Sequence, residues 1–123
     1  MKSILDLLKE QKSMTELAIA RMKEAEAAYN KQSIEVPYPS EGTPEERIAY
    51  CDEYERLKDK KDNAFKAAAR RLVSYGEFLG CKVDKKDIEY DWRIEGCYND
   101  LAYYADRLEK TFAYNVESYN SYK

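Results

Sequence analysis

Apolar residues recur at steps of three and four along most of this chain, and that period belongs to the α-helix rather than the strand. Three stretches show it, and one clear interruption divides the first from the second. From about residue 3 to residue 31, Ile4, Leu7, Leu8, Met14, Leu17, Ala18, Met22, Ala25 and Tyr29 mark a seam. Ser3, followed three residues later by Asp6, is a capping-box start. The segment SIEVPYPSEG, residues 33–42, then breaks the pattern, because its two prolines remove backbone donors and enforce extended geometry. The loop is therefore predicted over residues 32–43; a short strand at IEVPY is the alternative, and it lacks an evident partner.

The second helix is predicted over 44–79. Thr43 caps it, Pro44 suits the first helical position, and Glu45 and Glu46 favour the positive end of the helix dipole. Its seam is Tyr54, Leu57, Lys61, Phe65, Ala68, Leu72, Tyr75 and Leu79, and Gly80 is placed to stop it. Gly76 lies inside this helix and weakens its last turn. The third helix is predicted over 84–119. Asp84 is its cap, Val83 and Ile88 are spaced as a hydrophobic staple, and Gly96 is a candidate break. Its seam is Ile94, Tyr98, Leu101, Ala105, Leu108, Phe112, Val116 and Tyr119. IEYDWRI, within 88–94, also fits a strand by its alternation, but a lone strand cannot satisfy its backbone. Helices of roughly 40–55 Å at 1.5 Å per residue predict an all-α, elongated antiparallel three-helix bundle, residues 1–123 forming one domain.

Several chemistries lack their residues. The chain has no histidine, which removes Ser–His and Cys–His nucleophilic machinery and His-containing zinc or di-iron sites. No glycine-rich phosphate loop occurs. Carboxylate pairs such as Glu24 with Glu26, or Asp87 with Asp91, read as solvated helix surface. Cys51, Cys81 and Cys97 form an odd set without metal-type spacing, as expected of reduced thiols in the cytoplasm. Lys82, Lys85 and Lys86 stand near Cys81, but a small half-buried residue at a helix junction is the plainer reading. The expectation is therefore a protein without catalytic, metal or cofactor-binding residues. No run approaches the ~18 apolar residues of a membrane span, and MKSILDLLKE is too short and too interrupted for a signal peptide.

Residues 56–71 are locally basic, and a nucleic-acid accessory role is the alternative they raise. Phosphate neutralisation needs a coherent patch. At 100° per residue Lys61 falls on the seam, Arg56, Lys60 and Arg71 lie on one flank, and Lys66 and Arg70 lie nearly opposite the seam. The acidic window 84–100 offers an intramolecular counterpart.

The tyrosines point elsewhere. Trp92, Tyr103 and Tyr114 are spaced by eleven residues, almost three whole turns, on the side of the third helix away from its seam. Asn99, Asp106 and Lys110 edge them, and Tyr104 lies on a flank. One broad apolar stripe suffices for a bundle helix, so this second ridge is surplus to the core unless Gly96 resets the phase and turns Trp92 inward. Tyrosine and tryptophan are the residues that concentrate binding energy at interfaces. The ridge of Trp92, Tyr103, Tyr114, Tyr104, Asn99, Asp106 and Lys110 is accordingly expected to contact a partner protein. The chain would act as an adaptor, subunit or inhibitor, its small size suiting a phage-encoded inhibitor of a host or defence complex. A homo-oligomeric structural protein, with the ridge against its symmetry mate, is the second expectation.

Overall fold

The structure, a computed structural model, describes residues 3–121, apart from the side chains of Lys85, Asp87 and 113–121. Three helices carry the fold, α1 (Ile4–Glu35), α2 (Pro44–Leu79) and α3 (Asp91–Ser121), with a 3₁₀ turn at Lys85–Ile88. No strand occurs among the described residues.

The local start signals act as read. The Ser3 hydroxyl accepts the Asp6 amide at 3.1 Å, and the Asp6 carboxylate accepts the Ser3 amide at 3.3 Å. Thr43 accepts the Glu46 amide at 3.2 Å, and Gly80 ends α2 in the left-handed region at φ 77°. Two boundaries differ from expectation. α1 continues to Glu35 rather than residue 31, because the first residue denied helical geometry is Val36, immediately before Pro37. α3 begins at Asp91 rather than at 84. Asp84 does cap, accepting the Lys86 amide at 3.1 Å, but it caps the 3₁₀ turn. The strand reading of 88–94 fails too, since Ile88 ends that turn and Asp91 opens a helix that passes through Gly96 unbroken.

Cross-helix pairs fix the directions. Tyr29 meets Tyr54, hydroxyl to hydroxyl at 2.6 Å, and Arg71 donates to Thr15 at 3.3 Å, so α1 and α2 are antiparallel. Lys23 pairs with Glu95 at 2.6 Å, and Lys9 approaches Glu109 at 4.0 Å, so α1 is antiparallel to α3 as well. α2 and α3 therefore point the same way, and residues 80–90 carry the chain back along the bundle. The amide of Cys81 donates to the Gly76 carbonyl at 2.8 Å, folding this return segment onto the helix it has just left. Because α3 starts beside Lys23, the far end of α1 and α2 stands alone as a two-helix hairpin. No residue is classed as buried in α1 beyond Ala25 or in α2 before Leu57.

The core lies where all three helices meet. Leu72, Tyr75, Ala68 and Ile94 are sealed, and Ile19, Met22, Leu79 and Leu101 surround them at 6% exposure or less.

 Ala105, 7% exposed, closes the α3 side of this cluster. Each aliphatic side chain taken out of water here contributes roughly 1.5–3 kcal/mol. The α2 seam holds as expected: Leu57, Ala68, Leu72, Tyr75 and Leu79 are buried. Lys61, anomalous on that seam, lies over the Tyr29 ring, 4.5 Å from its centre. The seam of α1 is rotated from the expected one. Met14 and Leu17 are exposed, while Thr15 and Ile19 face inward. Thr15 is accommodated because its hydroxyl donates to the Gln11 carbonyl at 2.8 Å and accepts from Arg71.

One core group is poorly matched. Tyr75 is fully buried, and its hydroxyl has no hydrogen-bond partner among the described residues. Neighbouring Tyr98, stacked at 6.4 Å, instead donates to the Glu16 carboxylate. Burial first, and then that carboxylate, holds the Tyr98 hydroxyl protonated well above the usual tyrosine range. Tyr75→Phe removes a desolvated hydroxyl and keeps the ring. It is expected to raise the unfolding free energy by about 1 kcal/mol, read as a higher urea midpoint at unchanged slope.

Candidate functional site

The ridge begins where the return segment hands over to α3. The amide of Arg93 donates to the Tyr90 carbonyl at 3.0 Å in the first turn, and this turn fixes the direction of Trp92. Core residues Ile94, Leu101 and Ala105 turn one face of α3 inward, so positions 92 and 103 point the other way. Trp92 is 69% exposed and Tyr103 is 68% exposed. Gly96 therefore does not reset the phase, and Trp92 stays out of the core.

Both rings are held by neighbours rather than left loose. Tyr90 stacks on Trp92 with centres 6.0 Å apart and planes within 13°. The Arg93 guanidinium lies 5.0 Å from the Trp92 ring centre, and that of Arg107 lies 5.9 Å from the Tyr103 ring centre. Cations over aromatic faces at these distances contribute about 0.5–1 kcal/mol each at exposed sites. Asn99 is exposed between the rings, and Tyr104 is exposed on the flank. Asp106 and Lys110 pair with each other at 3.0 Å. The side chain of Tyr114 lies outside the described residues, as do those of Val116 and Tyr119.

Between Trp92 and Tyr103 the ridge dips at Gly96. A Cβ built there meets no described atom within 4 Å. Beside this dip is a depression of about 390 Å³ between α3 and the return segment, lined by Lys82, Val83, Cys97, Asp100 and Leu101 along with Trp92, Arg93 and Gly96. An apolar floor (Val83, Leu101) with charges at the rim suits the insertion of an apolar side chain from a partner.

The other sequence candidates are placed as follows. Cys51, Cys81 and Cys97 are all free, and Cys51 is the exposed one. The described residues include no group of three or more Cys, Asp or Glu arranged to hold a metal ion. Three of the cations in 56–71 have partners within the chain: Arg56 pairs on the surface with Glu53 at 2.7 Å, Lys61 lies over Tyr29, and Arg71 donates to Thr15. Among the described residues, the acidic window contributes Glu95 to an ion pair with Lys23 of α1 rather than with the basic segment. No described helix is long and apolar enough to cross a membrane.

Two surfaces escaped the sequence reading. At the hairpin tip, Ile34 and Ile48 are 82% and 61% exposed, and Tyr38 packs edge-on against Tyr50 with centres 5.5 Å apart. The Tyr50 hydroxyl donates to the Val36 carbonyl at 3.3 Å, so the proline loop is pinned to α2. Apolar residues set among prolines in IEVPYP were the available signal. The second surface is the face of α1 and α2 turned away from α3, whose apolar character follows from the rotated α1 seam. Comparison with protein-family models, with curated proteins and with solved structures finds no match to this chain.

Proposed function

We propose that this chain is a non-catalytic protein-interaction module that grips a partner protein through the outward ridge of α3. The observation that carries this reading is the pair of large rings, Trp92 and Tyr103, two-thirds exposed on either side of a glycine dip. Neither ring is needed to seal the core, and both are preset by stacked or cationic neighbours, which lowers the ordering cost of binding. Trp92 and Tyr103 are the anchors in this reading. Asn99, Asp106 and Lys110 set register at the rim, and Tyr104 extends the contact along the flank. The chain then serves as an adaptor, subunit or inhibitor in the cytoplasm, where three free thiols are at home. In its most specific form this reading is a phage-encoded inhibitor whose ridge covers a surface of a host or defence complex.

The test compares immobilised wild type with Trp92→Ala/Tyr103→Ala in capturing protein from host lysate. The double variant is expected to lose the specific partner while its helical content and Tm stay at the wild-type values. Capture that survives both truncations overturns the reading. A fall of many degrees in Tm assigns the rings to the fold instead.

A further inference from the structure

α3 covers only one face of the layer formed by α1 and α2. On the opposite face a groove of about 800 Å³ runs between the two helices, floored by Ala18, Ala25, Ala64 and Ala67. Met14 and Leu17, 44% and 51% exposed, stand beside it one helical turn before Ala18 and Arg21. Steps of three and four extend the α2 side of this face from Arg56 back through Asp52 and Ala49 to Glu45, and forward through Lys60 to Arg70. All six of these side chains are exposed.

Charge divides along this stripe. Glu45 and Asp52 lie toward the hairpin tip, and Arg56, Lys60 and Arg70 lie beyond it. The division extends to the surrounding sequence. Residues 32–55 hold seven acidic side chains against Arg47 alone, a net charge of −6. Residues 56–71 hold seven basic side chains against Asp59 and Asp62, a net charge of +5. On the face itself the acidic half is Glu45 and Asp52, the basic half is Arg56, Lys60 and Arg70 with Asp59 among them, and the α1 side adds the offsetting pair Arg21 and Glu24.

We infer that a second copy of this chain packs on this face, antiparallel, about a twofold axis lying in the interface near Arg56. That arrangement sets the acidic half of each copy over the basic half of the other. Glu45 comes opposite Arg70 of the second copy, and Arg56, paired with Glu53 of its own chain, lies near the axis. A parallel arrangement would put Glu45 and Asp52 of one copy against the same residues of the other and is disfavoured by like-charge repulsion. The alanine floor lets the two layers approach closely, with Ala25 near the axis. The contact is self-complementary, so it closes as a dimer rather than growing into a filament. Its size is adequate. Glu45 to Arg70 spans about 38 Å at 1.5 Å per residue, and two helices each about 10 Å wide cover roughly 700 Å² per copy. The total, roughly 1,400 Å², falls within the range of stable specific interfaces. The ridge of α3 points away from this contact, so a dimer displays two ridges.

Sedimentation velocity at about 100 μM protein in about 50 mM salt, where screening is weak, tests this. Wild type is expected at twice the 14.4 kDa of one chain. Glu45→Lys and Arg70→Glu should each weaken the dimer at least about tenfold, the size expected of a lost interfacial charge pair. Combining the two should restore it, and Trp92→Ala should leave it intact. Circular dichroism of each variant checks the fold, and added salt should weaken the wild-type dimer independently of any substitution. A monomeric wild type overturns the inference. So does a dimer indifferent to both reversals and to salt, or one lost with Trp92→Ala, which would place the second copy on the ridge.

Discussion

Ile94→Ala is expected to lower the unfolding free energy by about 2–5 kcal/mol, the range for truncating a sealed aliphatic side chain in a core that cannot collapse around the gap. Ile94 is fully buried in the first turn of α3, one turn before Tyr98 and two before Leu101. It belongs, at the start of α3, to the same buried cluster as Leu72, Tyr75 and Met22. The loss should appear as a lower urea midpoint with little change in slope if the helices unfold together. The ion pairs beside it cannot compensate. Lys23 and Glu95 are both more than half exposed, and surface pairs of that kind contribute about 0–1 kcal/mol. A loss below about 1 kcal/mol would mean that α3 is not anchored at Ile94.

The α2 seam and the α3 seam as far as Phe112 were legible because each follows one helical stripe of mainly apolar residues, and the rings opposite it on α3 are edged by polar side chains. α1 was not so simple. It has apolar residues on two faces, and Met14 and Leu17 look like core until the polar Thr15 is allowed inside. What makes Thr15 acceptable is its bond to Gln11 and its acceptance of Arg71, and Arg71 is 56 residues away. The sequence around Thr15 carries no sign of that. The start of α3 was misplaced for a related reason. Asp84 is a genuine cap, but the chain after Gly80 must first travel back along the bundle, since α3 runs in the direction of α2. Ile88 is buried by that return, not by a helix. Local signals report caps and periods, and direction is decided by packing.

The candidate ridge was visible in the eleven-residue spacing, because an exposed ring on the side opposite a strong seam needs no tertiary information. The antiparallel charge face was not. It depends on which side of the α1–α2 layer α3 takes, and hence on the corrected phase of α1. Of the scattered basic charges in 56–71, only Arg56, Lys60 and Arg70 fall on the face proposed to meet a second copy.

Two interior-helix glycines are expected to respond in opposite directions to the same substitution. By propensity alone, alanine in place of glycine stabilises a helix by about 1 kcal/mol. Gly96 meets no obstacle: a Cβ there has no described atom within 4 Å. Gly96→Ala should therefore raise the unfolding free energy by about 1 kcal/mol. At Gly76 a Cβ would come within 2.4 Å of Val83 Cγ2 and 3.1 Å of the Cys81 carbonyl oxygen. The side chain could swing aside, but the carbonyl belongs to the return segment, which is tied to Gly76 by the Cys81 amide. Forcing the segment outward would strain the connection that delivers Ile88 and α3 to the core. Gly76→Ala should lower the unfolding free energy by about 1–3 kcal/mol, the usual range for overpacking. Urea titrations of the two variants beside wild type make the comparison. If Gly76→Ala stabilises as Gly96→Ala does, the return segment does not lie against α2, and the shared direction of α2 and α3 loses its support. If instead Gly96→Ala stabilises the fold while weakening capture of a partner, the dip between Trp92 and Tyr103 is where that partner comes closest.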